Sequence, residues 1–248
     1  MSMFEHDKVV PDKESSLAKK EQVANMFNSI AVKYDFLNRF LSGGIDLLWR
    51  KKAIKKLKPV EPQLILDVAT GTADVALMTY ELLHPQKIIG IDISTGMLEL
   101  GRKKIEAKGL NNVIELQTGD SEHIQFPDNY FDAITVAFGV RNFENLAKGL
   151  KEMLRVLRPG GKLVVLEFSK PKKGLFSIFY QFYLSKMAPG VVQIFSSNKK
   201  AYQYLNNSVQ AFPEGQTFLN VMNEAGFTQT QLQSLSLGIC TIYCGIKA

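Results

Sequence analysis

Two acidic residues, Asp67 and Asp92, have the spacing of a nucleoside-binding site. Asp67 follows the apolar run 64–66 and stands just before a turn at Gly71. Asp92 ends a second apolar run, 88–91, about twenty residues beyond that turn. When parallel strands each end in an acid beside a glycine turn, these groups meet at one edge of the sheet and can hold a ribose. The pair therefore predicts a protein that binds a nucleoside cofactor.

The turn after the first strand indicates which cofactor is bound. A dinucleotide site uses Gly-x-Gly-x-x-Gly so that a pyrophosphate can approach the backbone, but the three positions here are Gly71, Ala73 and Ala76. The charge of Asp67 also disfavours a pyrophosphate. S-adenosylmethionine carries a ribose, an amine and a sulfonium but no phosphate, and Asp92 can accept hydrogen bonds from both ribose hydroxyls. Either motif alone also fits an ordinary strand–helix turn, whereas the two at this spacing favour S-adenosylmethionine.

A third polar turn, 119–121, follows the predicted third strand. Asp120 can accept a hydrogen bond from the exocyclic amine of adenine, and the backbone of Ser121 can donate one to a ring nitrogen. Gly-Asp-Ser is a common turn sequence, so the turn gains its significance from its place at the same edge of the sheet. We expect Asp120 and Ser121 to contact adenine.

Arg141 and Asn142 stand where the predicted fourth strand reaches this edge. Methyltransferases that act on the amino groups of bases commonly carry an Asn/Asp-Pro-Pro-aromatic motif here, and the segment 138–142 lacks it. A guanidinium instead offers fixed cationic donors, which can stabilise an oxygen anion beside a reacting atom. The alternative is a structural arginine that pairs with an acid.

Strands and helices alternate through the middle of the chain, which indicates a doubly wound parallel sheet. The predicted strands are 64–68, 87–91, 113–118, 131–138 and 162–168, and the predicted helices are 74–83, 95–108 and 144–157. At the end of the chain, 228–236 and 239–246 are predicted strands joined by a short turn, so they must be antiparallel. The predicted fold class is α/β: a Rossmann-like class I S-adenosylmethionine-dependent methyltransferase fold, mostly parallel, with an antiparallel C-terminal edge strand and a helical cap.

Residues 1–60 are predicted to form a helical segment on the substrate side, and residues 61–248 the cofactor-binding core. Apolar periodicity predicts helices over 22–34 and 37–41, preceded by polar residues that we expect to be frayed. Asp46 is predicted to N-cap the following basic helix. The clustered lysines of that helix indicate either a solvated face or attraction to anionic lipid or nucleic acid.

The segment 168–212 is predicted to be a mostly helical cap over the carboxyl edge of the sheet. It combines lysines with many aromatic residues and contains no aspartate or glutamate. Aromatic stripes usually belong to a core. Apolar rings with polar tips, together with lysines, also suit a lipophilic substrate drawn from a membrane surface.

Composition limits the remaining classes. The 248 residues carry a net charge of +6 and are 46% hydrophobic, which suffices for a full core. No run reaches the ~18 apolar residues of a membrane-spanning helix, and the N-terminus lacks the apolar stretch of a signal peptide. On one strand Cys240 and Cys244 would lie roughly 13 Å apart, too far to bridge, and the scattered histidines predict no metal site. We expect a reduced, cytoplasmic protein.

With these motifs in place, the chain resembles the UbiE/MenG family of quinone-biosynthesis C-methyltransferases. The resemblance is carried by Tyr34-Asp35-x-x-Asn38, Leu41-Ser42, Trp49, the run 155–169, Tyr202-x-Tyr204-Leu205-x-x-Ser208 and Phe212-Pro213. It extends from about Met26 to the end of the sequence. The chain departs from the family at Leu37 and Asp46, where the family has Met and His, and Ala137 replaces a serine that contacts the cofactor in some members.

The resemblance implies cofactor contacts from four residues: Thr72, Asp92, Asp120 and Ser121. Together with the turn residues Asp67 and Gly71, they make up the predicted S-adenosylmethionine site.

The resemblance also implies C-methylation of a polyprenylated hydroquinone, demethylmenaquinol to menaquinol or the matching step of ubiquinone synthesis. The ring carbon is nucleophilic only if the neighbouring phenol is deprotonated or nearly so, and no well-placed histidine base is evident. We therefore predict a water or phenolate held by Arg141, with Tyr34 and Asn142 orienting the ring. Alignment and exclusion of water would supply most of the acceleration.

The expected partner is a lipophilic quinol, with peripheral contact to the inner face of the membrane, no nucleic acid, and a homodimer left open. A nucleic-acid methyltransferase is an alternative that the basic helix suggests and the missing Pro-Pro motif weakens. A non-catalytic quinone-binding subunit is another, and the complete cofactor rim argues against it.

Overall fold

Seven strands form one sheet within the part of the chain that the computed structural model describes, residues 4–170 and 199–248. The strands are β1 (Leu64–Val68), β2 (Lys87–Asp92), β3 (Ile114–Thr118), β4 (Phe131–Ala137), β5 (Leu157–Phe168), β6 (Thr228–Leu235) and β7 (Cys240–Ile246). The described helices are α1 (Lys19–Ser42), α2 (Ile45–Lys55), α3 (Asp74–Leu83), α4 (Thr95–Ala107), α5 (Leu146–Val156), α6 (Lys199–Ala211) and α7 (Gln216–Ala225).

The strand order is β3-β2-β1-β4-β5-β7-β6. The first five strands of this order are parallel, and β7 runs antiparallel to both β5 and β6. The predicted fold class, with its parallel sheet and antiparallel C-terminal edge, is therefore confirmed. Since β1 pairs with β2 on one side and β4 on the other, the winding direction reverses there. A crevice forms outside the carboxyl ends of strands at such a reversal.

Helices cover both faces of the sheet, which explains why the central strands are almost continuously apolar. One buried cluster contains Phe131, Val156, Phe218 and Tyr243, and a second, separate cluster contains Trp49. Cys240 and Cys244 are buried and unbridged, as the strand spacing required. Among the described helices, none is long and apolar enough to cross a bilayer. No group of metal-ligating side chains occurs in the described residues either.

The N-terminal region departs from the predicted pattern in two ways. Instead of two helices over 22–34 and 37–41, α1 is one continuous helix from Lys19 to Ser42. Residues expected to be frayed form a 3₁₀ turn, Glu5–Lys8, in which His6 is fully buried. The imidazole of His6 packs edge-on against Phe212, with ring centroids 6.1 Å apart. Tertiary contacts therefore order a stretch whose local sequence is polar.

Asp46 does not cap α2, which corrects the predicted N-cap. Gly44 occupies the cap position with φ +80°, a conformation that glycine adopts without strain. Asp46 lies inside the first turn and is buried, where it pairs with Arg39 and accepts a hydrogen bond from the Ser42 hydroxyl at 2.8 Å. Asp46 therefore links α2 to α1 and does not cap the N-terminus of α2.

The other predicted boundaries hold to within a few residues, with one larger difference at β5. This strand begins at Leu157 instead of residue 162, because α5 passes directly into it. Of the predicted cap over 168–212, residues 171–198 lie outside the described part. The described remainder includes α6.

Candidate active site

A cleft of about 690 Å³ opens at the carboxyl ends of the parallel strands, on the side where the winding direction reverses. Helix α1 forms the facing wall. Six of the predicted site residues line it: Tyr34, Gly71, Asp92, Asp120, Ser121 and Asn142. The remaining three, Asp67, Thr72 and Arg141, lie outside its lining.

Asp92 is fixed by backbone amides at the end of β2. The N–H of Gly71 donates to Asp92 Oδ2 and the N–H of Ser94 donates to Oδ1, both at 2.8 Å. Burial raises the pKa of Asp92 above its usual value, against the opposing effect of these hydrogen bonds. Since each carboxylate oxygen can accept two hydrogen bonds, capacity for two further donors remains on a side chain that lines the cleft.

The turn after β1 is pressed closely against the loop after β4. Ala69 has φ +54°, and a Cβ added at Gly139 would lie only 2.6 Å from the Ala69 Cβ. Glycine at position 139 therefore allows the backbone approach that brings these two loops together at the cleft.

Asp67 lies beneath this turn instead of in the main cleft. It is almost fully buried, and its two oxygens accept hydrogen bonds from the hydroxyls of Thr70 and Thr135, both at 2.6 Å. Desolvation raises the pKa of Asp67 to about 6, although these hydroxyls oppose the shift. Its carboxylate lines a smaller crevice that adjoins the cleft.

Asp120 is tied to helix α1. Lys20 Nζ donates to Asp120 Oδ2 at 2.5 Å, and the backbone N–H of Glu122 donates to Oδ1 at 2.9 Å. Burial alone would raise the pKa of Asp120, but the hydrogen bonds from Lys20 and the Glu122 backbone hold it below its usual value. Asp120 therefore presents a carboxylate, and Ser121 lies beside it in the cleft lining.

Thr72 is part of a charged network behind the turn, not of the main cleft. Its hydroxyl donates to Asp35 Oδ1 at 2.7 Å and accepts from Lys104 Nζ at 3.0 Å. Lys104 also contacts Asp74 at 2.7 Å, and Arg39 contacts the second oxygen of Asp74 at 2.5 Å. The network joins α1, α3 and α4 around the turn that follows β1. Its members are far apart in sequence, so no local pattern could have predicted it.

Arg141 faces the interior of the protein. It is 4% exposed, and its Nη1 donates to Glu167 Oε1 at 2.7 Å and to the carbonyl of Phe138 at 2.6 Å. Its guanidinium carbon also lies 5.4 Å from the centroid of the Phe168 ring. The alternative interpretation, an arginine paired with an acid, describes this geometry. A role for Arg141 in catalysis stays a prediction, and it would act through the loop that it holds.

Asn142 and Tyr34 line the cleft from different elements. Asn142 Nδ2 donates to the Phe138 carbonyl at 3.4 Å, while its Oδ1 is buried without a hydrogen-bond partner in the described residues. An orphaned buried acceptor is costly, so a ligand donor there would relieve the cost. Tyr34 comes from α1, with its ring edge-on to Phe27 at a centroid distance of 5.8 Å.

The sequence predicted Tyr34 on the substrate side but missed the rest of the wall that α1 contributes to the cleft. Lys20, Val23 and Phe27 line the cleft at a spacing of three or four, the spacing of one helix face. Asn28 links this wall to the start of α4. Its Oδ1 accepts hydrogen bonds from the hydroxyl of Ser94 at 2.7 Å and from the backbone N–H of Gly96 at 2.9 Å. This helical spacing is the signal in the sequence from which the wall could have been predicted.

The donor and acceptor set fits S-adenosylmethionine. The Gly71 amide, which in a dinucleotide site would face a pyrophosphate, is occupied by Asp92. The cleft therefore presents the carboxylates of Asp92 and Asp120 to a ligand. Such acceptors match hydroxyl and amine donors and repel phosphate.

Solved structures with the same fold define the class. A methyltransferase from Thermotoga maritima, described as a possible histamine N-methyltransferase, superposes with a TM-score of 0.64 at 18% identity, covering 91% of this chain and 99% of that one. A phosphoethanolamine N-methyltransferase from Haemonchus contortus, solved with S-adenosyl-L-methionine, gives 0.56 at 14% identity over 75% and 48% of the two chains. The fold is that of class I S-adenosylmethionine-dependent methyltransferases.

Sequence comparison then defines the family. A demethylmenaquinone methyltransferase from Bacteroides fragilis is 47% identical over 229 residues, 92% of this chain and 94% of its own. A ubiquinone/menaquinone biosynthesis C-methyltransferase from Geotalea daltonii is also 47% identical, over 230 residues, 92% of this chain and 97% of its own. Residues 15–247 match the ubiE/COQ5 methyltransferase family, and the chain belongs to it. It is a methyltransferase, and S-adenosylmethionine is its cofactor.

Proposed function

We propose that the protein methylates a ring carbon of a polyprenylated hydroquinone, converting demethylmenaquinol to menaquinol. The observation that carries this proposal is the 47% identity, over more than nine tenths of both chains, to a relative named demethylmenaquinone methyltransferase. The cleft supports it, because carboxylates at the strand ends are combined with apolar and aromatic walls. These walls include Val23, Phe27, Phe138 and Phe143.

The positions of the polar groups support the following cofactor contacts. Asp92 accepts from the ribose hydroxyls, while Asp120 and the backbone of Ser121 hold adenine. Gly71 fixes Asp92 through its amide. Thr72 acts indirectly, because its hydroxyl is already engaged by Asp35 and Lys104. When bound, S-adenosylmethionine supplies an electrophilic methyl group on a sulfonium.

The quinol ring is oriented by Tyr34 and Asn142. Both side chains line the cleft, and the unpartnered Oδ1 of Asn142 is an acceptor for a phenolic hydroxyl. Arg141 is a positioning residue in this proposal. Its bonds to Glu167 and to the Phe138 carbonyl hold the loop 138–142 from which Asn142 projects.

No histidine in the described residues lines the cleft. His6 is buried elsewhere, where desolvation lowers its pKa to about 3. The phenolic proton therefore passes to water, and that water donates to the phenolic oxygen while charge builds on it. Asn142 orients the ring before the proton leaves, because its Oδ1 can only accept a hydrogen bond. Alignment of the ring carbon and exclusion of bulk water supply most of the acceleration.

Peripheral contact with the inner face of the membrane is part of the proposal. Val32, Phe36 and Phe40 follow one another at four-residue spacing on α1 and are 86%, 50% and 46% exposed. Exposed lysines lie on the same helix and on α2, Lys33 and Lys51 among them. An apolar stripe with neighbouring lysines suits an anionic lipid surface. Of the three lysines of the predicted cap expected to face the lipid, Lys172 and Lys173 lie outside the described residues, and Lys170 Nζ donates to the Gln210 carbonyl at 2.9 Å. A homodimer stays a prediction.

The matching step of ubiquinone synthesis is the second candidate, because relatives such as the Geotalea daltonii protein carry names covering both pathways. The test gives the purified protein S-adenosylmethionine and the reduced precursor of each pathway, with product mass as the readout. We expect methylation of demethylmenaquinol.

Turnover of the ubiquinone precursor alone would reassign the substrate. Tight binding of both ligands without turnover would instead support a non-catalytic quinone-binding subunit. Mass spectrometry of the quinones that accumulate in a deletion strain provides the independent check, and complementation with the wild-type chain is its control.

A further inference from the structure

A smaller crevice of about 330 Å³ adjoins the cofactor cleft. The two share Tyr34, Ala69 and Gly71 in their linings, so the crevice extends one end of the cleft. Arg50 contributes a positive charge to its wall, and Asp67 and Asp74 contribute acids; both oxygens of Asp74 are bound, by Lys104 and Arg39. A narrow polar site with one cationic and one anionic side is complementary to the zwitterion of an α-amino acid.

Arg50 enters this crevice with incomplete pairing. Its side chain is 7% exposed, and its Nε is buried without a hydrogen-bond partner in the described residues. The guanidinium carbon lies 5.3 Å from the centroid of the Phe138 ring, which holds the planar group in place. A buried cation with unused donors is costly unless something pairs with it.

Asp46, the acid beside Arg50, does not satisfy the unused donors of the guanidinium. Asp46 Oδ2 lies 3.4 Å from Arg50 Nε and is already bound by Arg39. Asp46 Oδ1 accepts from the Ser42 hydroxyl at 2.8 Å. The oxygens of Asp67 accept the hydroxyls of Thr70 and Thr135 rather than donors of Arg50. The planar donor fork of Arg50 remains available to a carboxylate that enters the crevice.

We propose that Arg50 binds the α-carboxylate at the amino-acid end of the cofactor, while Asp46 positions its guanidinium. The assignment rests on the proposed function insofar as it takes S-adenosylmethionine as the ligand. The assignment gives a role to Asp46, which stands at the position where the UbiE/MenG family signature has histidine. Asp67 then supplies the negative side of the crevice, towards the ammonium group.

The experiment compares two ligands by calorimetry on the full chain. S-adenosylhomocysteine carries the amino-acid end, and 5′-methylthioadenosine lacks it. We expect Arg50→Met to weaken S-adenosylhomocysteine binding by about 10- to 150-fold, the range for losing a hydrogen bond to a charged group. The same change should leave methylthioadenosine affinity within about threefold. Arg50→Lys should retain part of the affinity, since it keeps the charge without the fork.

Lys51→Met is the matched control, because Lys51 is the exposed neighbour of Arg50 on α2. Equal losses for both ligands in Arg50→Met, or unchanged S-adenosylhomocysteine affinity, would overturn the assignment while leaving the methyltransferase function intact. Failure of the wild-type chain to bind S-adenosylhomocysteine at all would overturn both.

If Arg50→Met does not fold, the wild-type protein is titrated with the α-carboxamide of S-adenosylhomocysteine. This ligand lacks only the negative charge of the carboxylate. A loss of at least tenfold is expected, and equal affinity for the acid and the amide would refute the proposal.

Discussion

The buried pair of Arg141 and Glu167 can be tested by a double-mutant cycle. Glu167 is fully buried, and it also accepts a hydrogen bond from the backbone N–H of Phe168 at 2.8 Å. Removing one partner of such a pair strands a buried charge, at a cost of about 3–5 kcal/mol. We therefore expect Arg141→Met and Glu167→Gln each to lower the free energy of unfolding by about 3 kcal/mol. The double variant should lose much less than their sum.

The chain contains its own reporter for urea unfolding. Trp49 is the single tryptophan, and its ring is edge-on to Phe168 at a centroid distance of 6.4 Å. Fluorescence therefore reports the packing next to Glu167. A coupling energy below about 0.5 kcal/mol would refute the reasoning, because independent sites add within that margin.

The pH dependence supplies a second check on the same pair. Burial raises the pKa of Glu167 above its ordinary value of 4.5, and Arg141 opposes the shift. In Arg141→Met the native state therefore holds this proton more tightly than the unfolded chain does. Stability of the variant relative to wild type should fall as the pH rises above 4.5. A constant difference between pH 4.5 and 8 would contradict the pairing.

Function supplies the third check on Arg141. Since its side chain does not line the cleft, we expect Arg141→Lys to lower turnover while S-adenosylhomocysteine affinity changes less. If Arg141→Lys turns over at the wild-type rate, Arg141 has a structural role only.

Three further changes test the cofactor site and the membrane face. Asp92→Asn should weaken S-adenosylhomocysteine binding by about 10- to 150-fold with the fold retained, and unchanged affinity by calorimetry would remove Asp92 from the ribose site. Because burial raises the pKa of Asp67 to about 6, its ionisation costs stability as the pH rises from about 4 to 6. Wild type should therefore lose roughly 2–3 kcal/mol relative to Asp67→Asn over that window, and parallel unfolding curves would show that the group does not titrate there. Val32→Glu should lower the partition coefficient onto anionic vesicles by roughly tenfold, since burial of a valine contributes about 1.5 kcal/mol. Leu232→Glu, on the edge strand β6, is its control, and equal vesicle binding by both variants would place the lipid contact elsewhere.

The convergence of Gly71, Asp92, Asp120 and Ser121 on one cleft could be predicted from sequence because its signals are local. A strand, its acid and the following turn lie within a few residues of one another. Because the helical crossovers make successive strands parallel, the carboxyl ends of these strands meet at one edge of the sheet. Gly71 and Asp92 therefore meet although 21 positions separate them, joined by a 2.8 Å hydrogen bond. The antiparallel edge was equally determined, because a short turn between β6 and β7 permits no other pairing.

The direction of individual side chains was decided by tertiary contacts. Arg141 follows a strand that was correctly predicted, yet its guanidinium turns inward, where it pairs with the buried Glu167 of the neighbouring strand β5. Arg50 appears in the sequence as one of several basic residues on a helix. Packing against Phe138 buries it beside the cofactor turn, while Lys51 remains exposed.

The sequence by itself determined the class of fold and the edge of the sheet at which Gly71, Asp92, Asp120 and Ser121 come together in one cleft. Only the tertiary structure placed α1 as one unbroken wall of the site and assembled the network around Thr72, Lys104 and Arg39. The physical reason is the separation along the sequence of the residues that interact. Strand patterns and turns are governed by neighbours along the chain, whereas ion pairs and buried polar groups depend on which distant elements pack together.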